Sequence, residues 1–167
     1  MPEVVWSGKA RQIASVLNVT ERLAYGDFVW NDRDVPTGKA WVLVDLKAQT
    51  MSLFRGSHEI GTAVTLYGVD GKSTPTGTFT VLAKLKDHQS SIYDAEMPYT
   101  LRLTNDGIAI HGSDVRQGVG THGCLGVPLD FASRLFEQVD VGSEVVILKD
   151  AAANMRNSNS VGAPDVV

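Results

Sequence analysis

Cysteine is nearly missing from this chain: Cys124 is the only one in 167 residues. That excludes an intrachain disulfide and every zinc finger built on several cysteines, and it leaves one thiol to be explained. Basic charge is not in excess either. Fifteen Lys and Arg against 19 Asp and Glu leave a net charge of −4, which argues against the basic footprint of a nucleic-acid-binding domain. No apolar run reaches the roughly 18 residues that a membrane-spanning helix needs. The opening Met1-Pro2-Glu3-Val4-Val5-Trp6 lacks the basic stretch and apolar core of a secretory leader. Repeats and low-complexity tracts are absent.

What is present suits a folded domain. Hydrophobic residues make up 43% and charged residues 20%, an ordinary balance for a globular chain. The length fits one domain, with roughly two-thirds of the unfolded surface buried and no need of staples.

Three stretches are expected along the chain: an N-terminal arm over 1–38, a domain over 39–150 and a mobile tail over 151–167. In the arm, Ile13, Val16, Leu17, Thr20 and Leu23 recur at spacings of three and four, which predicts a short helix over 11–23. Residues 27–39 read as loop, with Asp34-Val35-Pro36-Thr37-Gly38 as breakers. From Ala40 the period shortens to two. Strands are predicted over 41–46, 50–54, 59–67, 79–85, 99–103, 108–111 and 144–148, with Asp106-Gly107 as a hairpin turn. One helix is expected after Pro128, where Phe131, Leu135, Phe136 and Val139 make an apolar stripe before Gly142. The fold class is mostly β with one conspicuous helix.

Chemistry concentrates between 111 and 124. Ile108-Ala109-Ile110-His111-Gly112-Ser113 ends an apolar strand on a histidine, and Thr121-His122-Gly123-Cys124-Leu125 follows across a polar loop. A thiol with a pKa of about 8.5 is mostly protonated near neutrality. A histidine within reach can take that proton, and backbone N–H groups beside a glycine can hold an acyl oxyanion. The N-terminus of the helix after Pro128 would favour a thiolate. Two other readings use the same residues: a cysteine buried as a small hydrophobe, or His111, His122 and Cys124 as three ligands of a zinc ion. His58 and His88 read as solvated, His88 also as a rim residue.

His111-Gly112-Ser113 with Thr121-His122-Gly123-Cys124-Leu125 resembles the signature of the L,D-transpeptidase catalytic domain family (YkuD-type). Ser73-Thr74-Pro75-Thr76-Gly77-Thr78-Phe79 resembles that family's Thr-Pro-x-Gly-x-Phe element, and Glu96-Met97-Pro98-Tyr99 its Met-Pro segment. The elements come in the family's order and cover roughly residues 40–149. The resemblance implies a β-sandwich of mixed sheets. It makes Cys124 the nucleophile, His111 the general base and Gly112 the carbonyl that orients the His111 ring. His122, Gly123 and Thr121 would shape the oxyanion hole and acyl pocket. Apart from the resemblance, the long segment 84–98, with Tyr93 and Tyr99 towards its end, reads as a rim or lid over the site, or else as an ordinary edge loop. No metal and no cofactor is implied. The partners implied are peptidoglycan stem peptides, as donor and as acceptor. The location implied is periplasmic or extracytoplasmic, and the outcome is a cross-link by transfer to an amine or a trimmed stem by hydrolysis. A non-catalytic cell-wall-binding module on the same fold is the other class.

Two departures stand out. Many members carry Arg or Asn after Cys-Leu, where this chain has Gly126, and the loop between His111 and Thr121 is shorter than in many members. With the arginine fork missing, Arg102, Arg116 and Lys84 are candidates for pairing a substrate carboxylate.

Overall fold

The computed structural model describes residues 2–19, 21–68, 73–90, 95–115 and 123–157. In chain order the strands are β1 (Pro2–Trp6), β2 (Lys9–Gln12), β3 (Phe28–Trp30), β4 (Ala40–Asp45), β5 (Thr50–Arg55), β6 (His58–Val64) and β7 (Gly77–Thr80). Then come β8 (Ala83–Ser90), β9 (Ala95–Arg102), β10 (Ala109–Gly112), β11 (Leu125–Val127), the helix α1 (Leu129–Gln138) and β12 (Glu144–Leu148). A 3-10 turn over Ala151–Asn154 leads into β13 (Met155–Asn157).

Three sheets stack. The central one has six strands in the order β3-β6-β5-β4-β12-β7. Alternation explains why β4 and β12 are almost wholly apolar: both of their faces are covered. Val42, Val44, Val145 and Ile147 point one way, into a core shared with Leu101, Ile110, Leu125, Phe131 and Leu135. Trp41, Leu43, Val146 and Leu148 point the other way, onto Val4, Trp6 and Ile13. The inner core therefore joins the central sheet to α1 and to the four-stranded sheet β11-β10-β9-β8. The outer core joins it to the three-stranded sheet β13-β1-β2.

Among the described residues of 11–23 the predicted helix is not formed. Residues 9–12 are strand, and the following chain runs beside β6, with Ala14 N–H bonded to the Ser57 carbonyl and Glu59 N–H to the Ser15 carbonyl. Ile13 is buried whereas Val16 is 66% exposed, so the helical spacing marks no common face. Its β-branched residues also suit extended backbone better than a helix. The loop expected over 27–39 holds β3, which pairs with β6 as an edge of the central sheet.

The single strand predicted over 79–85 is two strands in different sheets. It breaks at Val81 and Leu82, between β7 on β12 and β8 on β9. Of the expected tail, residues 151–157 form a 3-10 turn and β13, which pairs antiparallel with β1, Pro2 opposite Asn157. Residues 158–167 lie outside the described residues.

Candidate active site

The site grows from the parallel pair β10 and β11, in register as Ile110 with Leu125, His111 with Gly126 and Gly112 with Val127. Ile110 and Leu125 are fully buried in the inner core. Strand alternation therefore turns His111, Gly126 and, one step earlier, Cys124 to the opposite face. The thiol is anchored at the start of β10: Sγ donates to the Gly107 carbonyl at 3.5 Å, and the Ala109 backbone N–H donates to the sulfur. His111 lies two residues further on, roughly 7 Å along that strand.

His111 Nδ1 is 2.9 Å from the Gly112 carbonyl oxygen. A carbonyl only accepts, so Nδ1 carries the hydrogen, and in the neutral ring Nε2 keeps the lone pair. Pro98, Leu129 and Ala132 close around Gly112, near enough that a Cβ there would meet Leu129 Cδ1 at 3.1 Å. The orienting carbonyl is thus held by β9 and α1 together.

Burial is the main influence on both groups. It lowers the His111 pKa, a nearby charge on His88 lowers it further, and the Gly112 hydrogen bond works the other way. It raises the Cys124 pKa, against the smaller lowering by the Ala109 N–H. Both shifts favour the uncharged form, imidazole for His111 and thiol for Cys124. The helix N-terminus expected to favour a thiolate sits elsewhere. Strand β11 separates Cys124 from α1 by roughly 10 Å of extended chain, and a helix dipole fades beyond its first turn.

Gly123 precedes the thiol with φ +101°, a conformation that only glycine adopts without strain. Its carbonyl accepts a hydrogen bond from Thr74 Oγ1 at 2.9 Å, and Thr74 Oγ1 accepts one from Gly68 N–H at 2.8 Å. The outer edge of β11 is closed by Leu66, whose N–H and C=O both bond to Gly126, and by Thr65 Oγ1, which donates to the Gly126 carbonyl at 3.0 Å. Sequence reasoning passed over Thr65 and placed Thr74 only within a motif. The signal available was a threonine in an apolar or motif stretch; what it touches is settled by the tertiary fold.

Tyr99 packs edge-on against Phe136 of α1 at 5.6 Å, on the helix side of the sheet. Its φ of +55° is a strained conformation for an aromatic residue in a strand, and Thr100 Oγ1 braces this kink by donating to the Met97 carbonyl at 2.6 Å. Tyr93, Thr121, His122 and Arg116 lie outside the described residues. His88 is half-buried on β8, opposite Met97. His58 is 2.8 Å from Ser15 Oγ.

Two of the three cations expected to pair a substrate carboxylate, Arg102 and Lys84, are engaged elsewhere. Arg102 donates to the carbonyls of Thr104 and Asn105, and Lys84 donates to the Val139 carbonyl at 2.7 Å while lying over the Phe136 ring. Among the described residues no group of three His, Cys, Asp or Glu is placed to hold a metal ion. No helix among them is long and apolar enough to cross a membrane.

Residues 39–147 match the model of the L,D-transpeptidase catalytic domain (YkuD) family. No curated protein sequence matches the chain. Solved structures do. An L,D-transpeptidase from Stackebrandtia nassauensis is 24% identical with a TM-score of 0.63, over 69% of this chain and 58% of that one. One from Mycobacterium smegmatis is 21% identical with a TM-score of 0.61, over 66% and 58%. One from Mycobacterium tuberculosis H37Rv is 21% identical with a TM-score of 0.60, over 65% and 57%. At these identities the likeness is one of fold, and the chain spans less than two-thirds of each of those proteins.

Proposed function

Since the chain belongs to the L,D-transpeptidase catalytic domain family, we propose that it is a cysteine-dependent acyltransferase acting on peptidoglycan stem peptides. The observation that carries this reading is the arrangement on β10 and β11: a thiol and a carbonyl-oriented imidazole on one face, at the end of a core-anchored strand pair.

From the uncharged forms that burial favours, His111 Nε2 takes the Cys124 proton as sulfur attacks the donor amide carbonyl. The tetrahedral oxyanion is held by backbone N–H groups near Gly123 and Cys124. When it collapses, the C–N bond breaks and the leaving amine of the terminal D-amino acid takes the proton from His111. The product is a thioester on Cys124. An amine of a second stem peptide then attacks that carbonyl, gives its proton to His111 and displaces the thiol, forming the cross-link. Water in the amine's place yields a trimmed stem. The substrate places this chemistry outside the cytoplasm.

Intact-protein mass spectrometry after incubation with a stem tetrapeptide tests the reading. The expected adduct is tetrapeptide minus the terminal D-amino acid, absent from Cys124→Ala. The same adduct on Cys124→Ala would refute it. Adding an amine acceptor separates the two fates, since transfer predicts a cross-linked product and hydrolysis only the trimmed peptide.

A further inference from the structure

We propose that Thr74 is a positioning residue for the reaction: its hydroxyl sets the orientation of the peptide unit that joins Gly123 to Cys124. This rests on the reading of Cys124 as the nucleophile and extends it to a residue that never touches substrate.

Gly123 C=O and Cys124 N–H belong to one planar trans peptide, so they point in opposite directions. Whatever fixes the carbonyl aims the N–H. The nucleophile's own backbone N–H lies within reach of an oxyanion formed on the carbon that its side chain attacks, as in other acyl-transfer sites. The aim of that N–H therefore matters to the barrier.

Gly123 cannot supply the aim itself. With no Cβ it moves among backbone conformations that other residues are denied, and it sits at φ +101°. An external hold is needed, and Thr74 provides one. Thr74 is 6% exposed, and its single hydroxyl proton is committed to the Gly123 carbonyl at 2.9 Å. Its oxygen is kept in place by Gly68 N–H at 2.8 Å. The hydroxyl thus ties Gly123 to the chain that leaves β6, where Leu66 is already bonded to Gly126 on the far side of Cys124. The nucleophile is held from both flanks by one segment, 65–68, with Thr74 as the clamp on the Gly123 side.

The test compares two reactions of the same sulfur. Acylation by a penem-class β-lactam forms S–C, breaks the ring C–N bond and leaves the proton on the ring nitrogen, passing through an oxyanion. Alkylation by iodoacetamide forms S–C and expels iodide with no oxyanion at all. Thr74→Val keeps the size and removes the hydroxyl, whereas Thr74→Ser keeps the hydroxyl. Thr74→Val is expected to slow acylation of Cys124 by about tenfold or more, up to the roughly 10²–10³-fold cost of losing an oxyanion donor outright, while alkylation is unchanged. Thr74→Ser is expected to acylate nearly as fast as the parent.

Equal loss in both reactions would mean a general disturbance of the thiol and would overturn the assignment. So would a Thr74→Val protein that acylates at the parent rate, or a Thr74→Ser protein that is as slow as Thr74→Val. If Thr74→Val does not fold, the Thr74→Ser rate decides alone. A parent protein that alkylates on Cys124 but never acylates there refutes the nucleophile reading, and this proposal with it.

Discussion

Gly126 and Ser113 lie so close that a Cβ added to Gly126 would sit 3.0 Å from the Ser113 Cβ and 3.3 Å from its Oγ. Gly126 cannot retreat, because its N–H and C=O are both bonded to Leu66 and Thr65 Oγ1 holds the same carbonyl. The glycine found where many family members carry Arg or Asn is, in this chain, a steric fit to the residue after His111-Gly112.

Gly126→Ala is therefore expected to destabilise the fold by about 1–3 kcal/mol, the usual cost of overpacking. Ser113→Gly in the same chain removes the clashing Cβ and should recover part of that loss. Urea midpoints of the two single variants and the double variant check this. Simple additivity would show that the two positions are not coupled.

The pH dependence of acylation should carry the mark of His111. The working base is the neutral ring, and burial together with the charge on His88 puts its pKa below 6.5. The rate is then expected to fall on acidification only as pH passes that lowered value. His88→Gln removes a like charge and should move the limb upward, toward the ordinary imidazole value. A limb left in place by His88→Gln would mean that His88 does not act on His111.

Stability follows the same shift by linkage. Between the folded and unfolded pKa values of His111 the unfolded chain binds more protons, so stability rises with pH across that window. On acidification the His111 contribution is lost as pH falls through 6.5, and the loss ends below the folded value. Comparing the thermal midpoints of the parent and His111→Asn from pH 7 to 5 should show this slope in the parent alone.

Trp6 tests whether the N-terminal sheet is part of the fold. Its ring is 5% exposed and stacks on Trp41 at 6.3 Å, while its Nε1 donates to Thr78 Oγ1 at 2.5 Å. Trp6→Ala should cost about 3–5 kcal/mol, as large-to-small changes in cores do. The outer core lies across the central sheet from β10 and β11, so the folded fraction of this variant should acylate at the parent rate. A urea midpoint close to the parent's would mean that β1 is a dispensable appendage.

Local pattern made much of the molecule readable. The apolar runs of β4, β5, β6 and β12, the Asp106-Gly107 turn and the stripe of α1 each depend on neighbours in sequence, and period alone identifies them. The juxtaposition of His111, Gly123 and Cys124 was readable for the same reason: a strand, a loop and a second strand bring nearby positions together. By itself the sequence determined a mostly β fold, one helix and one thiol set beside a histidine.

The tertiary structure decided the rest, because the deciding contacts are distant or aperiodic. Whether residues 2–6 form a strand depends on partners that include Met155–Asn157, about 150 positions away. Residues 11–23 have helical spacing, yet the hydrogen bonds offered by β6 draw part of them into extended backbone. The partners of the Thr74 hydroxyl obey no period at all. A residue count says only that one thiol exists; packing decides that its sulfur is half-buried, with its pKa raised by that burial, and anchored at the start of the strand that bears His111.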